Sequence, residues 1–298
     1  MKVINAFEKF IHSRHLKGVS ENTIISYRNL TARFIRFIGA DTDMESISQE
    51  DLENFVDYLY SIALSRNSIA SYIRNTKIFL KWYQRKNKVN YSAVELVIPK
   101  APKKIVHIYS PTEIDMIFNT IDTCCDWLTI RNKSIIALML DSGLRQAEIC
   151  NLKIYNLFFD DCRLKVCGKG NKERIVPFGN MAQRLTKEYL TLRPYKSENL
   201  FVSYHGDVLT CNAVKSMTWD LQQRLPFAFS SHKLRHNFAT NYLINQYDVV
   251  GQMDMYQLMT IMGHEDVATL RRYLHHANGI IASRNCISHL DRIYKDRV

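Results

Sequence analysis

The sequence predicts a mainly α-helical protein with one small β-hairpin, divided into a helical N-terminal domain and a mixed α/β C-terminal domain. Three observations carry this. Apolar residues recur at helical spacing through most of the first hundred positions. A Pro- and Lys-rich break follows, Val97-Ile98-Pro99-Lys100-Ala101-Pro102-Lys103-Lys104. Between 157 and 178 the apolar period shortens, around a glycine-rich turn.

Ser20 is placed as an N-cap, and Ile24, Tyr27, Leu30 or Thr31, Phe34 and Phe37 or Ile38 follow at helical spacing until Gly39. Ser48-Gln49-Glu50-Asp51 opens a second helix with Leu52, Phe55 or Val56 and Leu59 on one side, its acidic start suiting the helix dipole. A third helical segment spans 65–90. The helical domain is therefore expected at 1–96, a basic linker at 97–109 and a second domain at 110–298. Ser110-Pro111-Thr112-Glu113 begins that domain as a helix start. An apolar stretch at 135–140 ends at Gly143, and 163–167 and 173–177 flank the turn Gly168-Lys169-Gly170-Asn171-Lys172 as a hairpin. Helices are expected again at 212–225, 234–245 and 256–262.

The composition is ordinary for a globular chain, with 46% hydrophobic and 23% charged residues. At 298 residues it can bury two cores. The charge is informative: 40 Lys+Arg against 29 Asp+Glu gives a net +11, which favours nucleic acid or an anionic membrane surface as partner. No run of about 18 apolar residues occurs, and the start lacks a signal peptide's hydrophobic stretch. A cytoplasmic, nucleoid-associated protein without a membrane partner is expected. Seven cysteines, odd in number and without a C-x-x-C pair, read as reduced and mostly buried thiols.

From 65 to 90 there is no acidic residue, while Arg66, Arg74, Lys77, Lys81, Arg85, Lys86 and Lys88 are all basic. Positions 74, 77, 81, 85 and 88 lie three or four apart, on one helical face. A merely solvated face normally mixes signs, so this one is expected to meet backbone phosphates. Lys100, Lys103 and Lys104 in the linker and Lys172 in the turn are further DNA-binding candidates.

The chemistry lies in four strings: Ser142-Gly143-Leu144-Arg145-Gln146-Ala147-Glu148, the hairpin turn, Ser231-His232-Lys233-Leu234-Arg235-His236, and Met262-Gly263-His264 with Tyr273 nine residues on. Two arginines, two histidines, a lysine and a tyrosine suit attack of a phenol on a DNA phosphate. The tyrosine stores the bond as a phosphotyrosine. Fixed guanidinium forks neutralise the non-bridging oxygens, and proton donors serve the leaving oxygen. Singly, each has a plain explanation. Arg145 could cap a helix, Lys169 and Lys172 could be solvated, and Tyr273 could be a core aromatic. His232 and His236 have the spacing of a helical zinc pair, but Lys233 stands where a zincin has glutamate.

In order and spacing these strings resemble the tyrosine recombinase (integrase) family, and the helical first domain resembles its core-binding domain. The resemblance implies a C-shaped DNA clamp that recombines specific sites without metal or other cofactor. Tyr273 would be the nucleophile that forms a 3′-phosphotyrosine. Arg145 and Arg235 would clamp the scissile phosphate, with Lys169 protonating the 5′ leaving oxygen and Lys172 kept as a second candidate. His232 would assist proton transfer from Tyr273, His264 would hydrogen-bond the phosphate, and Glu148 would orient the site. The partner implied is a double-stranded recombination site, bound by a homotetramer on two sites, with a related recombinase or a DNA-bending factor as further partners. The tail at about 278–298 carries Ile280, Ser283, Ile287, Leu290 and Tyr294 at helical spacing, like the family's segment that docks on a neighbouring protomer. With no room for an arm-binding domain before the first helices, the likeness is to Xer-like or simple mobile-element integrases. One departure is the longer stretch between His236 and His264, whose surplus falls at 245–254. A type IB topoisomerase-like or telomere-resolving enzyme and a non-catalytic DNA-binding regulator are the alternatives.

Overall fold

The computed structural model describes all residues except 101–105, 169–171, 264–265, 268–269, 285, 287, 289, 291–292 and 294–298. It is mainly helical with one small sheet, and it separates into two compact units, Met1–Lys104 and Ile105–Val298.

In the first unit, α1 (Val3–His15), α2 (Glu21–Ile38), α3 (Gln49–Ser61) and α4 (Arg66–Gln84) pack around an aromatic core. Phe10 meets Phe79 at 5.6 Å between centroids and Phe34 meets Phe55 at 5.1 Å, within the range where tilted and edge-on rings attract. Ser48 and Asp51 form a reciprocal capping box at the start of α3, so the local signal and the observed helix start coincide. Ser20 precedes α2 but makes no cap bond to its backbone; its hydroxyl meets that of Thr23 at 2.9 Å.

The second unit begins with α5 (Pro111–Thr120), capped by Ser110 and Glu113, and α6 (Asp126–Ser142). Residues 134–139 of helix α6 are buried in succession at the centre of the core, which is why this half lacks a polar face. A five-residue helix α7 (Gln146–Cys150) leads into the antiparallel sheet β1 (Leu157–Phe158), β2 (Arg163–Cys167) and β3 (Glu173–Pro177). Leu164 faces Val176 and Val166 faces Arg174 in the β2–β3 register. Leu164, Val166 and Val176 are buried, so Arg174 lies at an inward position among apolar neighbours. Then follow α8 (Asn180–Leu192), α9 (Cys211–Arg224), α10 (Ser231–Val250), α11 (Met255–Met262) and α12 (Arg271–Arg284).

The surplus residues at 245–254 have a definite use. They extend α10 beyond the expected end at 245, and Gly251 stops it in the left-handed region at φ +72°. Asp254 then caps α11, its Oδ1 accepting from the amides of Tyr256 (2.8 Å) and Gln257 (3.0 Å). The cysteine expectation is corrected: among the described residues only Cys150 is buried, while Cys124, Cys125 and Cys211 lie at helix starts, Cys162 in a turn and Cys167 at the end of β2. Among the described residues, no helix is long and apolar enough to cross a membrane.

Candidate active site

Three arginines converge on one buried carboxylate. Helix α6 ends at Gly143 with φ +60°, its amide donating to the Met139 carbonyl at 3.1 Å. A Cβ at that position would overlap the ring of Phe238, so glycine lets α10 pack against this corner. The chain re-enters helix at once, with Arg145 as the residue before α7. Its amide donates to Glu148 Oε2 and its Nη1 to Oε1, both at 2.8 Å. From β3, Arg174 adds a parallel fork, Nη1 to Oε1 and Nη2 to Oε2, both at 2.9 Å. From α10, Arg235 Nη1 stands 3.9 Å from Oε2.

Glu148 is 4% exposed. Burial alone would raise its pKa, but the Arg174 fork and the Arg145 amide outweigh this and hold it below the ordinary glutamate value. It is therefore a fixed anion. Arg235 is pushed down to about 10, first by burial and then by the charge of Arg145, and remains a cation at neutral pH. Among the described residues, three guanidinium groups surround one carboxylate, an environment that favours an anion.

The same arginines cap the end of α11. Arg174 Nε donates to the Ile261 carbonyl (2.7 Å), Arg235 Nη2 to that of Met262 (2.7 Å), and Arg145 Nη2 to that of Gly263 (3.2 Å). Arg235 Nη1 also donates to the Gly143 carbonyl. Three consecutive carbonyls at a helix C-terminus, where acceptors lack intrahelical donors, each take a different arginine.

Beside this cluster, the exposed His232 and the buried His236 meet Nε2 to Nε2 at 2.9 Å, so one ring donates and the other accepts. Burial, then the charges of His232 and Arg272, push the pKa of His236 down to about 3. Burial, then Arg272 and Arg235, lower that of His232. The His236 ring lies 4.9 Å from that of Tyr273. Tyr273, on α12, is only 1% exposed and packs among Phe238, Leu243, Leu258, Met262 and Leu270. Arg272 lies over its ring at 4.9 Å and donates to its hydroxyl at 3.2 Å.

Of the expected catalytic residues, Arg145, Glu148 and Arg235 meet directly, and His236 bridges His232 to Tyr273. Lys169 and His264 lie outside the described residues, as do Lys103 and Lys104 and, in the tail, Ile287 and Tyr294. Arg66, Arg74, Arg85, Lys88, Lys100 and Lys172 are exposed and Lys81 is half-buried. Lys77 departs from its expected role. Its ammonium donates to the carbonyls of Val94 (2.9 Å) and Leu96 (2.7 Å), tying down the chain after α4 because those acceptors lie within its reach.

Arg174, His236 and Arg272 were missed by the motif reading. Strand alternation could have found Arg174, since it puts a charge on the inward face beside Val176 and so demands a buried counter-ion. His236 lies one helical turn from His232, whereas nothing in the spacing marks Arg272.

Residues 109–279 match the phage integrase family, and residues 6–87 match the phage integrase N-terminal SAM-like domain. The chain is 30% identical over 267 residues to the tyrosine recombinase XerC of Staphylococcus carnosus (strain TM300), covering 87% of this chain and 88% of the relative. It is 30% identical over 270 residues to the protein of that name from Staphylococcus epidermidis (strain RP62A), covering 88% and 89%. Among solved structures, it is similar to the Tn1549 transposon integrase in complex with transposon right end DNA, with TM-score 0.74 at 17% identity over 96% of this chain and 99% of that one. A lambda integrase dimer bound to a COC′ core site gives TM-score 0.73 at 15% identity over 92% and 95%. At such identities these structural likenesses bear on the fold.

Proposed function

This chain belongs to the phage integrase family and is a tyrosine site-specific recombinase, and from that premise we propose which of its residues cut and rejoin the DNA. The observation that carries the reading is the convergence of Arg145, Arg174 and Arg235 on Glu148, with His236, one residue on from Arg235, 4.9 Å from the Tyr273 ring.

A phosphodiester entering this cluster is clamped by Arg145 and Arg235 through its non-bridging oxygens, where charge grows as the tyrosine attacks. Arg145, with 37% of its side chain exposed, is the first to meet it. Glu148 keeps both guanidinium planes fixed, so little reorganisation is required when the charge develops. The Tyr273 oxygen attacks phosphorus, the P–O5′ bond breaks, and the products are a 3′-phosphotyrosine and a 5′ hydroxyl. The phenol proton passes to His232, whose lowered pKa keeps it neutral and basic near pH 7. Lys169 gives its proton to the 5′ oxygen, and His264 hydrogen-bonds the phosphate. Attack on phosphorus first requires Tyr273 to leave the apolar packing that buries it.

The DNA partner is read as a duplex recombination site, bound in the cytoplasm by both units. The basic face of α4 and Lys100, Lys103, Lys104 and Lys172 meet backbone phosphates, which position the protein without reading sequence. Strand exchange between two duplexes consumes one tyrosine per cut strand, so the working form is a homotetramer on two sites.

The polarity of cleavage tests this chemistry. After protein–DNA adducts form on a nicked duplex, the new 5′ ends should accept a labelled phosphate from a polynucleotide kinase without prior phosphatase treatment. Ends that need dephosphorylation first, or protein attached through a 5′ phosphate, would contradict the reading.

A further inference from the structure

Arg174 is not one of the two clamp arginines, yet its guanidinium meets Glu148, the end of α11 and the backbone at Gly168 and Gly263. It sits inward on β3, opposite Val166, with 9% of its side chain exposed. Its two Nη atoms fork onto Glu148 at 2.9 Å, and its Nε holds the Ile261 carbonyl at 2.7 Å, three positions before His264. Two glycine backbones approach it closely. A Cβ on Gly168 would stand 3.2 Å from Nη1, and one on Gly263 would stand 3.1 Å from the same atom. Gly168 opens the hairpin turn, its amide donating to the Lys172 carbonyl at 2.8 Å, and Lys169 is the next residue. One planar cation thus joins the arginine box, the end of α11 and the root of the lysine turn.

We propose that Arg174 is a positioning residue that ties Gly168, the residue before Lys169, to the Glu148 carboxylate that orients Arg145 and Arg235, so that leaving-group protonation and phosphate clamping act on the same phosphate. The inference rests on the reading of Lys169 as the acid. Arginine is required because a fork and a third N–H pointing elsewhere are used at once; a lysine ammonium keeps the charge but cannot reproduce that plane. An error of about 1 Å in placing the acid costs on the order of 100-fold in rate.

The test compares Arg174→Lys with the native chain in two ways. Hydrogen exchange of the protein alone should quicken at Gly168 by about tenfold or more, while the amides of α2 to α4 in the other unit keep their rates. Adduct formation is then timed on a nicked duplex holding the cleavage site mapped with the native chain, made with oxygen or with sulfur at the bridging 5′ position. A thiolate departs without protonation, so sulfur removes the need for the acid while leaving the need for the clamp. The expected result is a loss on the order of 100-fold on the oxygen substrate, a clearly smaller loss on sulfur, where only the loosened Glu148 fork is felt, and unchanged DNA affinity. Unchanged exchange at Gly168, or an equal loss on both substrates, overturns the proposal. Lys169→Ala separates the two levels of inference: if sulfur does not rescue it, or the native chain forms no adduct, the reading of Lys169 fails. The exchange result then decides by itself whether Arg174 anchors the turn.

Discussion

At the scale of single residues, the site is governed by how charge is kept where water is scarce. Arg235 is 5% exposed, and the carbonyls of Gly143 and Met262 together with nearby Glu148 satisfy it. Arg235→Lys and Arg145→Lys each remove a directed donor while keeping a charge. Each is expected to slow adduct formation by about 100- to 1000-fold, with DNA affinity changed far less. A parallel fall in affinity and rate would mean that these residues only bind. His236 offers a separate test, because its folded pKa of about 3 lies well below the unfolded value of 6.5. The unfolded chain takes up this proton first as pH falls, so the native state loses stability between about 6.5 and 3 and keeps it above that window. In His236→Asn, the slope of unfolding free energy against pH over that window should fall, by at most ~1.4 kcal/mol per pH unit. Identical slopes would show that His236 is not held neutral. Glu148 acts in the same direction at lower pH: its depressed pKa makes its contribution present above about 4.5 and lost as pH falls through the folded value.

At the scale of elements, the local signals were legible and the pairings were not. The Ser48–Asp51 and Ser110–Glu113 boxes mark true helix starts because all their partners lie within one turn. The hairpin flanks were readable from alternation and glycine. By contrast, β1 is a two-residue strand defined only by pairing with Arg163 and Leu164. Arg174 gains its importance from Glu148, 26 residues away on another element. The extension of α10 was hidden because its last turn, with exposed Val249 and Val250, carries no core-facing pattern. The basic stripe expected over 65–90 is shorter as a helical face, because α4 ends at Gln84 and leaves Arg85 and Lys88 beyond it, and its members differ: two carbonyls hold Lys77 while Arg74 is exposed. Arg74→Ala should therefore reduce the slope of log affinity against log salt by ~0.9. Lys77→Ala should instead cost about 1–2 kcal/mol in denaturant unfolding by freeing the chain at 94–96, with little change in that slope. The reverse pattern would return Lys77 to the DNA face and remove Arg74 from it.

At the scale of the whole molecule, a net charge of +11, two separately packed units and a cluster of fixed guanidinium groups are the features on which the proposed DNA cleavage rests. Specificity lies in side chains that reach base edges, which no spacing in the sequence reveals. The measurement that tests the central claim most directly is capture of SDS-resistant protein–DNA adducts from expressing cells, sequenced at their ends, with Tyr273→Phe as control. Adducts at a discrete sequence that vanish in Tyr273→Phe are the predicted result, and they would name the recombination site at the same time. Adducts that persist in Tyr273→Phe, or that scatter without sequence preference, would contradict Tyr273 as the nucleophile of a site-specific recombinase.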